Sequence, residues 1–467
     1  MGNSSLIEKI TIKGRLVLDA PLRIGTGEGS KEIDVYVAKD RKQTPIIPGS
    51  SLAGVLRTAY KDAHPEKSSL LLLLFGREHD ESDDKPRQSA IDVEDVKLEA
   101  TEITVRDGVR INSFTGTAED RSKHNFEAVE RGAGGQVELT ITIREEQEKE
   151  TQRAAVESAA REIAAFLAQG ICLGALSAKG FGRAHCPQVA VNFYDFSRAA
   201  AVKAWMLKQD YATETIVHGE DKTYPSGYFV VDADFALNGS LLVRQEASEK
   251  HGDMPVKVEQ MQHRGKDEKP DYYIIPGTSI KGVLRSRAEK ILARLGQDTS
   301  HLCDLMGGGA NDKDKHKSRF IVEETYIEPQ KGLHEHVQAR NSIDRFTGGT
   351  MPGKLFGEKP LWQDEDGVPT VKIHFEIRPP RGNQERNDAH YVEWEYGLAL
   401  FLLKDLSLGK VAIGGGKSIG RGTLKGHHIR IHCNEGEYEI DQSGRLTGED
   451  AAEKAAKLES WAKSFLN

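Results

Sequence analysis

The chain has 467 residues, with 64 Lys plus Arg against 72 Asp plus Glu, a net charge of −8. That excludes a uniformly basic polyanion-wrapping protein, so any grip on nucleic acid has to be local. The longest apolar runs, such as Leu70 to Phe75, are far short of the roughly 20 residues of a membrane span. Charges interrupt the apolar residues of Ile7 to Arg15, unlike a secretory signal. Cys172, Cys186, Cys303 and Cys433 form no CxxC, which argues against a zinc ribbon or disulfide framework and fits a reducing cytoplasm. The length favours two or three domains.

Ile10, Ile12, Leu16 and Leu18 predict a first strand. A Pro48-Gly49-Ser50-Ser51 turn opens a helix, with Leu52, Val55, Leu56 and Ala59 on one face. A short strand follows over 90–96, then an irregular polar stretch over 101–135. Strict alternation from Val137 to Ile143 predicts a half-buried strand. Val156, Ala160, Ile163 and Leu167 share a second helical face, and a glycine loop and last strand close the unit. The same series then recurs: Phe229, Val231 and Phe235; Ile280, Val283, Leu284 and Ile291; 320–327; 328–369; Val371 to Ile377; Trp394 to Leu406; and a glycine loop. Asp450 to Leu466 predicts an extra amphipathic helix. Each series reads βαββαβ, an α+β, ferredoxin-like (RRM-like) order. The expected domains are 1–205 and 226–467, joined by a linker over 206–225.

Matched segments support the duplication. Ile47-Pro48-Gly49-Ser50-Ser51-Leu52-Ala53-Gly54-Val55-Leu56-Arg57 parallels Ile275-Pro276-Gly277-Thr278-Ser279-Ile280-Lys281-Gly282-Val283-Leu284-Arg285. Leu74-Phe75-Gly76 parallels Leu305-Met306-Gly307, and Val93-Glu94-Asp95 parallels Val322-Glu323-Glu324. Asp120-Arg121 is paired with Asp344-Arg345, and Lys179 to Arg183 with Lys417 to Arg421.

The basic charge is local. Residues 410–430 hold five cations and no acid, and 276–294 hold five cations and one acid. Glu78 to Asp95 instead carries eight acids against two bases. Glycines let a backbone approach a ligand closely, and helix N-termini offer free N–H groups to an anion. Together these predict a phosphate-tracking surface without base readout. A Rossmann reading fails, since Gly414-Gly415-Gly416 does not make GxGxxG and no P-loop is present.

The Pro-Gly-[Ser/Thr]-Ser helix start and the late Gly-Arg loop resemble the RAMP superfamily. They are most similar to backbone subunits of type III CRISPR effector complexes, here as a tandem fusion covering nearly the whole chain. The resemblance implies a subunit that binds guide crRNA, presents it to complementary target RNA and inserts a thumb-like β-hairpin into the duplex. The thumb candidates are 101–135 and 328–369. It also implies an Asp supporting target cleavage on the loop after the first strand, at Asp34 and Asp253. Asp253 keeps the following Pro of the family pattern, as Pro255, where the first unit has Tyr36.

A lone carboxylate is a weak base at neutral pH, so the expected cofactor is a divalent metal, Mg2+ first. No metal cluster stands in the sequence, and the HxH pair His334 and His336 reads as surface loop. The candidate RNA-binding residues are Ser50, Ser51, Arg57, Lys179, Arg183, Thr278, Ser279, Lys281, Arg285, Arg340, Asn341, Lys417 and Arg421. Expected partners are crRNA, target RNA, other RAMP subunits and a large polymerase-like subunit, in the cytoplasm and without membrane. The competing readings are a non-catalytic scaffold, a guide-processing RAMP nuclease and an unrelated small-molecule enzyme.

Overall fold

A computed structural model describes residues 5–30, 33–76, 88–99, 101–113, 115–144, 150–217, 224–247, 250–251, 254–264, 270–308, 317–364, 368–380, 389–448 and 450–466. Asp253 and most of the acidic stretch from Glu78 lie outside them. The chain divides into two compact units: the second holds Tyr224–Asn467 together with Ile111–Thr117 and Ala178–Gly180, and the first holds the rest.

In unit 1, β1 (Leu6–Leu18) leads to α1 (Gly49–Ala63) and α2 (Ser68–Phe75). Then come β2 (Ile91–Val93), a hairpin of β3 (Ile103–Gly108) and β4 (His124–Val129), β5 (Gly134–Arg144) and α3 (Glu150–Gln169). β6 (Arg183–His185), β7 (Gln188–Asp195), α4 (Ala199–Met206) and β8 (Thr213–Val217) complete the unit. The main sheet runs β8–β7–β1–β5–β2. Its centre is apolar because Ile10 faces Phe193 and Ile141, and Ile12 faces Val191 and Leu139. α1 buries Leu52, Leu56 and Tyr60. α3 buries Val156, Ala160, Ile163 and Leu167 in the same core.

Unit 2 repeats the plan. Its elements include β9 (Phe229–Asn238), β10 (Arg244–Glu246), β11 (Met254–Gln260), α5 (Gly277–Leu295), α6 (Ser300–Met306) and β12 (Phe320–Val322). They continue with β13 (Gln338–Arg340), β14 (Phe356–Lys359), β15 (Val371–Ile377), α7 (Ala389–Ser407), β16 (Leu408–Ala412), β17 (Thr423–Cys433), β18 (Gly436–Ile440) and α8 (Ala451–Leu466). The main sheet runs β12–β15–β9–β17–β18. Thus β2–β5–β1–β7 and β12–β15–β9–β17 are the same antiparallel arrangement built twice. A second small sheet in this unit runs β10–β11–β14–β13. α8 closes the core with Trp461 and Phe465, both fully buried.

Two elements differ from the sequence reading. The leucine run of α2 has no period to mark it as a helix, yet it forms two turns. The stretch expected as a linker contains β8, which pairs with β7 from Gln188↔Val217 to Asn192↔Thr213. All four cysteines are free thiols.

Candidate functional site

The Pro-Gly helix starts are built alike, but the first does not offer all its N–H groups to a ligand. Asp95 Oδ1 accepts from the Gly49 N–H at 2.7 Å, so an internal carboxylate already occupies that anion position. Ser50 is exposed, while Ser51, Thr278 and Ser279 are half-buried. The arginine that ends each motif serves the fold. Arg57 Nη1 donates to the Gly76 carbonyl at 2.7 Å, and Arg285 Nη1 donates to the Gly307 carbonyl at 2.5 Å. Each thereby satisfies a carbonyl just past the end of the next short helix, α2 or α6. This accounts for the Leu-Phe-Gly and Leu-Met-Gly repeats.

Lys281 also departs from expectation. It is 5% exposed, and its Nζ donates to Ser318 Oγ at 2.6 Å and to the Phe320 carbonyl at 2.8 Å. Burial pushes its amine down to about 7. A side chain held this way is not an RNA contact. Unit 1 has Ala53 at this place, yet keeps the serine: Ser89 Oγ bridges the Leu74 and Ile91 carbonyls as Ser318 Oγ bridges those of Leu305 and Phe320.

Asp34 lies exposed on the loop before α1, tied to the β3–β4 hairpin. Its Oδ2 accepts from the Asn125 N–H at 2.8 Å, and its own N–H donates to Asn125 Oδ1 at 3.1 Å. The next residue, Val35, bridges Phe126 in parallel register. Phe126 packs edge-on against Phe181 of the glycine loop, ring centres 5.8 Å apart, and the Arg23 guanidinium covers its ring at 4.3 Å. Unit 1 therefore brings the Asp34 loop, the hairpin and the glycine loop to one junction.

The backbone corrects how the two glycine loops pair. Gly174, Leu176, Gly180 and Gly182 have positive φ, as do Gly414, Gly416, Gly420 and Gly422. The short 3-10 turns Ser177–Lys179 and Lys417–Ile419 fall in the same places. The shift is 240 residues, two more than the Lys-to-Arg matching implies, so Arg421 corresponds to Phe181 and not to Arg183. Arg183 and Lys179 are exposed, as is Lys417, but Arg421 is 3% exposed. Its Nη1 donates to Glu358 at 2.7 Å and its Nη2 donates to Gln338 at 2.5 Å. Glu358 also accepts from Arg340 Nε at 3.0 Å. Burial raises the Glu358 carboxyl, but bonds from Arg421 and Arg340 outweigh it and hold the group below its usual range. Val258 pairs with Glu358 in parallel register, as Val35 does with Phe126. By that register Lys257 stands where unit 1 has Asp34.

The hairpin tips also pair differently from Asp120-Arg121 with Asp344-Arg345. Asp344 Oδ1 accepts from the Thr347 N–H at 2.9 Å, and its carbonyl accepts from the Gly348 N–H at 2.9 Å. Asn112 does the same for Thr115, at 3.0 Å, and Gly116, at 2.9 Å. These are two Asx turns 232 residues apart. The shared Phe-Thr-Gly, at 114–116 and 346–348, was the sequence signal for them. N–H groups of Thr347 and Phe346 hold the Asp344 carboxyl below its usual range. Asn341 is exposed nearby.

The surroundings of Asp34 do not make a closed cation site. The adjacent Glu127 accepts from Lys39 at 3.2 Å and from the Val37 N–H at 3.0 Å. Among the described residues no three His, Cys, Asp or Glu side chains are grouped to hold a metal. His334 sits beside Asp364, 3.7 Å away. Exposed cations of unit 2 include Lys290, Arg294, Lys410, Lys417, Lys425 and Arg430. Among the described residues no helix is long and apolar enough to cross a membrane.

No curated protein matches the chain. Among solved structures it is similar to a chain of the type III-B Cmr-beta complex in its apo state, seen by cryo-electron microscopy. That match has 12% identity, covers 38% of this chain and 95% of the other, and has a TM-score of 0.31. The model of the RAMP superfamily matches residues 15–185 and again 259–425, more than half of the chain. With one antiparallel plan built twice, the chain belongs to the RAMP superfamily as two RAMP domains in tandem.

Proposed function

We propose that this protein is a backbone subunit of a type III CRISPR RNA-guided effector complex. Its two units are ferredoxin-like domains with thumb hairpins that bind crRNA, and it cleaves complementary target RNA. One observation carries this reading: in unit 1 an exposed Asp34 carboxylate, a β-hairpin and a glycine loop meet at one packed junction. A hairpin that splays a nucleotide would set its 2′-hydroxyl in line with the scissile phosphate, a positioning effect. Asp34 Oδ2 is engaged by Asn125, which orients the carboxylate. The exposed basic residues hold the RNA backbone. The described donors around Asp34 do not complete a metal site on their own. In unit 2 the proposal rests on Asp253, four residues before the Lys257 that holds the register position of Asp34.

The non-catalytic scaffold is the second reading. The Asp34–Asn125 bonds favour it, because they give the carboxylate a structural task. The two readings separate in a complex assembled with guide and complementary target RNA. Asp34→Asn, which keeps the shape, and Asp253→Ala are each expected to abolish one cut, by 100-fold or about that, with target binding retained. Full cleavage by the double variant would leave the scaffold reading standing.

A further inference from the structure

At the junction where unit 1 packs Phe126 on Phe181, unit 2 holds ions. Arg421 and Arg340 both bond Glu358, and Arg244 Nη2 stands 3.8 Å from its other oxygen. Three guanidiniums thus share one carboxylate, and the four groups together carry +2. They differ in access: the Arg421 side chain is 3% exposed and Glu358 8%, but Arg340 is 33% and Arg244 61% exposed.

The glycine loop lies directly against this group. A Cβ on Gly415 would sit 3.1 Å from Arg244 Nε, and one on Gly416 would sit 3.0 Å from Arg421 Cδ. Their missing side chains leave the two arginines room against the backbone. Arg244 comes from β10, Glu358 from β14 and Arg340 from β13, so paired strands of the small sheet fix the spacing. Two solvent-reaching guanidiniums around one buried anion, with charge left over, suit a tetrahedral oxyanion bridging them.

We propose that Arg244 and Arg340 form a phosphodiester-binding site on unit 2, assembled around Glu358, which acts as its resident counter-ion. The site rests on the RNA-binding reading above and adds an attenuator to it. Glu358 holds the arginines in place and lowers the positive potential that RNA meets.

The test uses the full chain and a fluorescein-labelled single-stranded RNA, with anisotropy read across a salt series. Arg244→Ala and Arg340→Ala should each weaken binding about 5-fold at 150 mM salt, and flatten the log–log salt slope by about 0.7, one phosphate contact on a single strand. Arg445→Ala, an exposed arginine elsewhere in the unit, should change neither. Glu358→Gln, where it folds, should bind more tightly than wild type. Wild-type protein that binds no RNA would sink the functional reading itself. Wild-type binding with Arg244→Ala and Arg340→Ala indistinguishable from Arg445→Ala would overturn this site alone.

Discussion

The two units close the same junction by opposite means. In unit 1, Phe126 of the hairpin meets Phe181 of the glycine loop, and Val35 lies alongside. In unit 2 the matching positions are Glu358, Arg421 and Val258, a buried ion pair where the first unit has two rings. The backbone is held in common while the side chains are free to change their chemistry. A shared motif therefore predicts loop shape better than it predicts which side chain meets the ligand.

The largest expected effect tests the common part. An alanine Cβ at Gly182 would fall 1.8 Å from the Leu173 carbonyl oxygen, and one at Gly422 would fall 1.9 Å from that of Ile413. Both glycines also have φ near +80°. Gly182→Ala and Gly422→Ala should each cost about 3 kcal/mol or more in urea unfolding. A loss under about 1 kcal/mol in one unit would show that the loops are not equivalent.

The divergent part comes next. Arg421→Met leaves the Glu358 carboxylate buried with one partner fewer, and should cost about 3 kcal/mol. Arg183→Met, at an exposed site, should cost about 0.5 kcal/mol or less. The double change Glu358→Phe with Arg421→Phe copies unit 1 and should recover most of the loss. If the double variant is no more stable than Arg421→Met, the two junctions are not interchangeable solutions.

A third effect is a pH slope that arises in unit 2. Unfolded, the Lys281 amine keeps its proton to about 10.5; folded, only to about 7. Between those values the unfolded chain binds more protons, so stability should rise with pH from about 7 upward. Lys281→Met should remove that rise and stabilise the protein at pH 7 and below. An unchanged slope between pH 7 and 9 would show that Lys281 stays protonated in place.

The sheets were legible because alternation is a local property. Ile10, Ile12 and Val137 to Ile143 show their buried side without reference to anything distant. The duplicated plan followed from motifs that stay contiguous. The site was harder. Whether an arginine reaches solvent depends on partners far along the chain, and Glu358 lies 63 residues from Arg421. The tips pair on Asp-Arg in the sequence because a charged pair is conspicuous, whereas the Asx turn rests on a residue that is Asn in one copy and Asp in the other. A run of leucines carries no period, so α2 has no signature in the sequence.

The glycine loops also reverse a common reading of glycine. Gly182 donates to the Pro21 carbonyl at 2.8 Å and accepts from Leu173 at 2.8 Å. Gly422 donates to the Ser240 carbonyl at 2.7 Å and accepts from Ile413 at 2.8 Å. Each is hydrogen-bonded on both sides, and the neighbouring carbonyl lies where the Cβ of any other residue would have to sit. These segments are stiff because they are glycine: the absent side chain lets neighbouring backbones lock, and a surface built on them keeps its shape before any ligand arrives.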